Sequence, residues 1–185
     1  MADAYRAIVA EIDKCLDQVR TESVEQAFSQ VSGAQRLFLV GAGRSALGIR
    51  GFTKRLVHLG KKAFLVGETT TPPIGRGDCL IIGSGSGATA SLLAIAERAK
   101  KIGAGIVLFT IDHNSPIAQL ADCVVVIPAS TPKAQTHITN FKSIQPMSTL
   151  FEECLFLLLD AFVLIFMQKD NITGSEMYTR HANLE

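Results

Sequence analysis

The sequence predicts an α/β fold in which a doubly wound, five-stranded parallel sheet forms the middle of three αβα layers. Three observations carry that reading. Continuous aliphatic runs recur at 36–40 ("RLFLV"), 79–83 ("CLIIG"), 105–110 ("GIVLFT") and 123–127 ("CVVVI"). Strands buried on both faces read as such unbroken apolar runs, and their alternation with helical stretches marks the crossover units of a parallel sheet. Two of the runs empty into glycine loops, "GAGRSA" (41–46) and "GSGSGAT" (83–89). Finally, residues 36–67 and 78–110 repeat one pattern: strand, glycine turn, helix, glycine stop at Gly60 or Gly103, strand.

Each element follows in order within a single domain spanning 1–185. Residues 2–31 place Ile8, Ile12, Leu16 and Val19, then Val24, Ala27, Phe28 and Val31, at the spacing of two amphipathic helices broken near Thr21 to Ser23. The two βαβ units come next. "NSPIAQLA" (114–121) reads as a turn and short helix, with Asn114 or Ser115 as cap and Pro116 at the first helical position, ahead of the fifth strand. Residues 128–147 have no clear period and three prolines; so long a connection suits a lid or a subunit-contact loop. The C-terminal region, about 146–185, holds a long helix and a tail in which Thr173 and Glu176 form a capping box.

The long helix contains "LFEECLFLLLDAFVLIFM" (150–167), nearly enough to cross a bilayer. Glu152, Glu153 and Asp160 oppose that reading, because an acid at membrane depth costs several kcal/mol, roughly 2.5 to 3.5 for Asp. A helix apolar on almost every side is expected to be buried, partly against a second copy of the chain, so a homo-oligomer is expected.

Composition narrows the partners. The 185 residues carry 18 basic and 17 acidic side chains, with no basic run longer than Lys61-Lys62 and Lys100-Lys101. That balance offers no footprint for nucleic acid or anionic lipid, and a small-molecule partner is expected. The four cysteines are widely spaced without a CxxC pair, which fits buried thiols in a reducing compartment. The acidic, polar start "MADAYRAIVAEIDK" does not read as a signal peptide, and the cytoplasm is the expected location.

In doubly wound sheets, ligands bind at the carboxyl ends of the strands, where the following helices present free N–H groups. Both glycine loops occupy such ends. "GAGRSA" alone fits a dinucleotide loop, with Glu68 ending the next strand as a ribose ligand. "SGSGAT" adds three hydroxyls, Ser84, Ser86 and Thr89, between glycines that let the backbone close on an anion, which suits a phosphate monoester. The lysine of a nucleotide triphosphate loop is missing. Serine and glycine can equally serve as caps and turns alone.

"GAGRSALGIRGFTKRLVHLG", "GETTTPPIGRGDCLIIGSGSGAT", "SIQPMSTLFEECLFLLLDA" and the ending "RHANLE" resemble the 6-phospho-3-hexuloisomerases, members of the sugar isomerase (SIS) family. The resemblance runs from about residue 36 onward. The glycine-serine loops are common to sugar isomerase domains, whereas "IQPM..LFE" and "RHANLE" are narrower. It implies a phosphorylated hexulose held by Ser45, Ser84, Ser86 and Thr89, with close backbone approach at Gly43 and Gly85, and it makes Glu152 the base. It also implies a tetramer of paired dimers. Departures from the pattern are Ala88, where many relatives have Glu, Ser148-Thr149 in place of Gly-Ser, and Thr53-Lys54.

The implied reaction interconverts D-arabino-3-hexulose 6-phosphate and fructose 6-phosphate through a cis-enediol, and needs no redox cofactor. Glu152 suits the base because it lies in the first turn of an apolar helix, although Thr149-x-x-Glu152 also reads as a capping box. Glu153 shares a helical stripe with Asp160, about 100° from Glu152. His181 is a second acid–base candidate, in its own or a neighbouring subunit's site, since an ordinary imidazole pKa near 6.5 permits either role. Arg44 and Arg50 are candidates to balance phosphate or enediolate charge, with a surface position on the helix as the alternative for Arg50. His58, His113 and His137 lack metal-ligand spacing, and no metal is expected. The alternatives are a non-catalytic sugar phosphate sensor, an isomerase of another phosphosugar such as arabinose 5-phosphate, and a nicotinamide-dependent oxidoreductase using Gly41, Gly43 and Glu68.

Overall fold

The computed structural model describes residues 2–130 and 142–184. Two helices, α1 (Ala2–Leu16) and α2 (Thr21–Gly33), precede β1 (Leu37–Gly41), α3 (Ser45–His58) and β2 (Ala63–Leu65). Then come β3 (Cys79–Gly83), α4 (Ala90–Ile102), β4 (Gly105–Thr110), β5 (Cys123–Val126), α5 (Thr149–Lys169) and α6 (Gly174–Tyr178). The five strands form one parallel sheet in the order β2-β1-β3-β4-β5. This is the doubly wound α/β architecture expected.

Strand alternation divides the interior in two. Leu37, Leu39 and Ile81 face a core that α3 completes with Ile49, Phe52 and Leu56, and that α1, α2 and α5 share. Phe38, Val40, Leu80 and Ile82 face the other side, where α4 supplies Leu92, Ala96 and Ala99. The chain leaves β1 through α3 towards one edge of the sheet and leaves β3 through α4 towards the other. The carboxyl ends of β1 and β3 therefore form the switch point at which a crevice opens between diverging helices.

α5 anchors the first core. Phe162 meets the rings of Phe28, Phe52 and Phe109 edge-on at centroid distances of 5.5, 6.2 and 5.9 Å. Each fully buried phenylalanine contributes roughly 1.5 to 3 kcal/mol of transfer free energy. The outward side of α5 stays apolar yet exposed at Phe156, Leu157, Leu164 and Ile165. Among the described residues, no helix is long and apolar enough to cross a membrane.

Residues 114–121 differ from expectation: they form a turn, not a short helix. The Gln119 and Ala121 amides close isolated turns onto Ser115 O and Ile117 O (3.1 Å each), but the Leu120 amide between them donates to Ile117 O (3.1 Å), so no continuous helical ladder forms, and the Ile117 amide ties the segment to Gly87 O (3.0 Å). The capping box at Thr173 and Glu176 is formed. Residues 131–141 of the long connection, His137 included, lie outside the described residues. The part that follows is pinned by Glu11 of α1, whose buried carboxylate accepts from the Ser143 hydroxyl, the Ile144 amide and the Gln145 side chain. All four cysteines are buried free thiols, and burial pushes Cys79 up to about 12, which keeps it protonated.

Candidate active site

Gly41 and Gly83 are register partners at the ends of β1 and β3. A Cβ on Gly83 would lie 2.9 Å from side-chain carbons of both Ile49 and Leu155, so the missing side chain is what lets α3 and α5 close over the strand end. The second loop is held from below by the chain after β4. The Ser84 amide donates to Phe109 O (3.0 Å), the Ile111 amide to Gly85 O (3.0 Å) and the Thr110 hydroxyl to Gly85 O (3.2 Å). Gly87, at φ +56°, packs so tightly on Ser115 that a side chain there would fall onto the hydroxyl.

These constraints leave a cleft of about 160 Å³ above the switch point. Ser45, Ser84, Ser86 and Thr89 line it, with backbone from Gly43 and Gly85. Ser45 and Ser84 are buried. Thr89 is the N-cap residue of α4, and its side chain makes no capping bond. The N-terminus of α4 adds the positive end of a helix dipole and unpaired first-turn N–H groups. Hydroxyls, backbone amides and a dipole converging on one concave surface suit a tetrahedral oxyanion.

Glu152 faces the cleft from the first turn of α5. The alternative role that its spacing offered, a capping box with Thr149, does not form. Ser148 is the N-cap residue but its side chain makes no capping bond, and the Thr149 hydroxyl donates to Pro146 O (2.7 Å). The Glu152 carboxylate instead accepts from Arg44 Nη1 at 2.6 Å. Glu153 does not line the cleft. One of its oxygens is buried without a hydrogen-bond partner among the described residues.

The cleft thus gathers Gly43, Arg44, Ser45, Ser84, Gly85, Ser86, Thr89 and Glu152, and leaves out Arg50 and His181. Arg50 points away from it and pairs with Glu68 at 3.6 Å, both side chains being more than half exposed. Glu68, the ribose ligand of the dinucleotide reading, is thereby engaged outside the cleft. His181 packs in its own chain against His58 and Tyr178, with ring centroids 5.2 and 5.8 Å away, beside α6. Among the departures from the family pattern, Ser148 lines the cleft, Ala88 is exposed on the loop's outer side, and the buried Thr53 donates to Ile49 O within α3.

Sequence reasoning missed Thr110, the packing of Ser115 on the Gly87 loop, and the tether formed by Glu11. All three act through contacts distant in the chain, and no local spacing announces them.

Residues 30–156 match the SIS domain, and the chain belongs to that family. It is 40% identical over 178 residues to the 3-hexulose-6-phosphate isomerase of Bacillus subtilis, covering 96% of this chain and 95% of that protein. The protein of the same name from Mycobacterium gastri is 40% identical over 175 residues, covering 95% of this chain and 86% of that one. A crystal structure from Methanococcus jannaschii, described as inferring a 3-hexulose-6-phosphate isomerase function, matches at TM-score 0.85 and 31% identity over 99% of each chain.

Proposed function

We propose that the protein is an isomerase interconverting D-arabino-3-hexulose 6-phosphate and fructose 6-phosphate. The observation that carries this reading is the placement of Glu152: a carboxylate released from any capping role faces an oxyanion cradle built by Ser45, Ser84, Ser86 and Thr89. The phosphate anchors in the cradle. Glu152 removes the C2 proton of the 3-hexulose, a cis-enediol(ate) spans C2 and C3, and the same carboxylic acid returns the proton to C3 while the O2 hydroxyl proton passes to O3 and the carbonyl settles at C2. The proton count closes without redox change, so no redox cofactor is needed. Positioned acid–base groups of this kind contribute about 10² to 10⁴ in rate.

His181 joins the reaction as a second acid–base group from a neighbouring subunit, since its own chain carries it away from the cleft. The exposed apolar face of α5, together with Leu47, Ile144 and Met147, supports a homo-oligomer, and the family resemblance supports a tetramer. The cytoplasm, where phosphosugars are handled, is the proposed location.

The test is a coupled assay with the 3-hexulose phosphate on wild type and Glu152→Gln. Turnover is expected to fall at least 100-fold while phosphosugar binding is retained. A Glu152→Gln protein of normal activity sinks the assignment. A wild type that binds sugar phosphates without turning over this substrate points to a sensor, and one that turns over arabinose 5-phosphate instead corrects the substrate.

A further inference from the structure

Two charged side chains line the cleft among the described residues, Arg44 and Glu152, and they are bonded to each other at 2.6 Å. We propose that Arg44 is exchanged between Glu152 and the incoming phosphoryl group, so that substrate binding releases the carboxylate that performs the proton transfer. The proposal rests on the reading of Glu152 as the base and adds what holds that base when the cleft holds no substrate.

The two partners are unequally fixed. Glu152 is 16% exposed and rises from a helix packed into the main core, whereas the Arg44 side chain is 52% exposed at the mouth. Arg44 is the N-cap residue of α3, and its guanidinium, a donor without an acceptor, cannot cap the first amides of that helix, so capping does not hold it in the present position. An ion pair with one half-exposed member is weakly held in water. The guanidinium is the freer of the two partners.

Charge supplies the drive. With Arg44 on Glu152 the cleft is neutral, and its hydroxyls and amides offer hydrogen bonds without a compensating cation. A phosphate monoester brings about −1.5 to −2 charges. Its planar-fork match to guanidinium makes arginine the group that rebalances the site. Once Arg44 turns to the phosphoryl group, the carboxylate oxygen that accepted its hydrogen bond is free for the sugar C–H. The exchange couples occupancy to activation: an empty cleft keeps its base engaged, and the anchor of the substrate disengages it.

Inorganic phosphate tests this without any turnover. Its dissociation constant is measured by titration calorimetry for wild type, Glu152→Gln, Arg44→Gln and the double variant. Expected is phosphate binding about fivefold tighter in Glu152→Gln than in wild type, because the rival for Arg44 is gone. Removing a negative charge also relieves direct repulsion, and that part survives in the Arg44→Gln background. The exchange therefore predicts that most of the gain disappears there.

An equal gain in both backgrounds, or no gain in Glu152→Gln, overturns the proposal. Arg44→Lys keeps the charge without the fork, and is expected to restore part of the gain if Arg44→Gln folds poorly; no restoration also counts against exchange. Turnover is scored separately. An active Glu152→Gln protein removes the base assignment whatever the phosphate cycle gives, and an uncoupled cycle removes the exchange while leaving the base in place.

Discussion

The Glu11 carboxylate accepts a hydrogen bond from the Gln145 side chain at 3.0 Å, which ties the first helix to the segment that leads into the helix of Glu152. Two further donors, Ser143 Oγ and the Ile144 amide, complete its set. Glu11→Ala leaves these donors without their acceptor and is expected to cost about 2 to 3 kcal/mol, read as a lower urea midpoint. Turnover should fall further than the loss of folded protein explains, because the start of α5 loses its tether.

Gly87→Ala is expected to weaken phosphosugar binding more than tenfold and to destabilise the fold. An alanine at φ +56° costs roughly 1 to 2 kcal/mol for the left-handed conformation, and the methyl group also meets Ser115. Adding Ser115→Gly should recover the steric part alone. Thermal unfolding and fructose 6-phosphate titration of both variants check this.

The acid limb of stability should depend on Asp78. Burial acts to raise its carboxyl, but hydrogen bonds from Arg36 Nε (3.0 Å) and Nη2 (2.6 Å), and from the Gly75 amide (2.7 Å), outweigh burial and hold it below its ordinary value. A depressed folded-state pKa gives stability that is fully present above the unfolded value, near 3.9, and is lost as pH falls through the folded one. Asp78→Asn should lower stability at neutral pH and flatten its fall below about pH 4, as measured by denaturation between pH 2 and 7.

On the outer face of α5, Leu157→Lys and Leu164→Glu should break the proposed oligomer into smaller species without unfolding the chain, as seen by light scattering alongside circular dichroism. If His181 serves a neighbouring cleft, mixing inactive Glu152→Gln and His181→Ala subunits should restore part of the activity. No recovery after verified subunit mixing would place His181 outside the reaction.

The sheet could be read from the sequence because a strand buried on both faces writes its environment into consecutive residues, as "CLIIG" does. The glycines and hydroxyls of the two loops stood out at the strand ends, but the same residue types also serve as caps and turns, so their convergence on one cleft became visible only in the fold. Arg50 was harder: six residues along α3 from Arg44 turns a side chain well around the helix, onto the face where Glu68 waits. The 114–121 turn and the Glu11 tether were beyond reach. Gly87 and Gln145 decide them from distant parts of the chain, and local propensity carries no record of such partners.

The pairing of Gly41 with Gly83 makes the cleft a seam between the two βαβ units, which neither can form by itself. A slip of one residue between β1 and β3 would set Val40 opposite Gly83 and turn a whole strand's side chains to the wrong face. Ligand affinity is therefore a gauge of strand alignment: during refolding, the first molecules able to capture a sugar phosphate are those whose central strands have already locked in step.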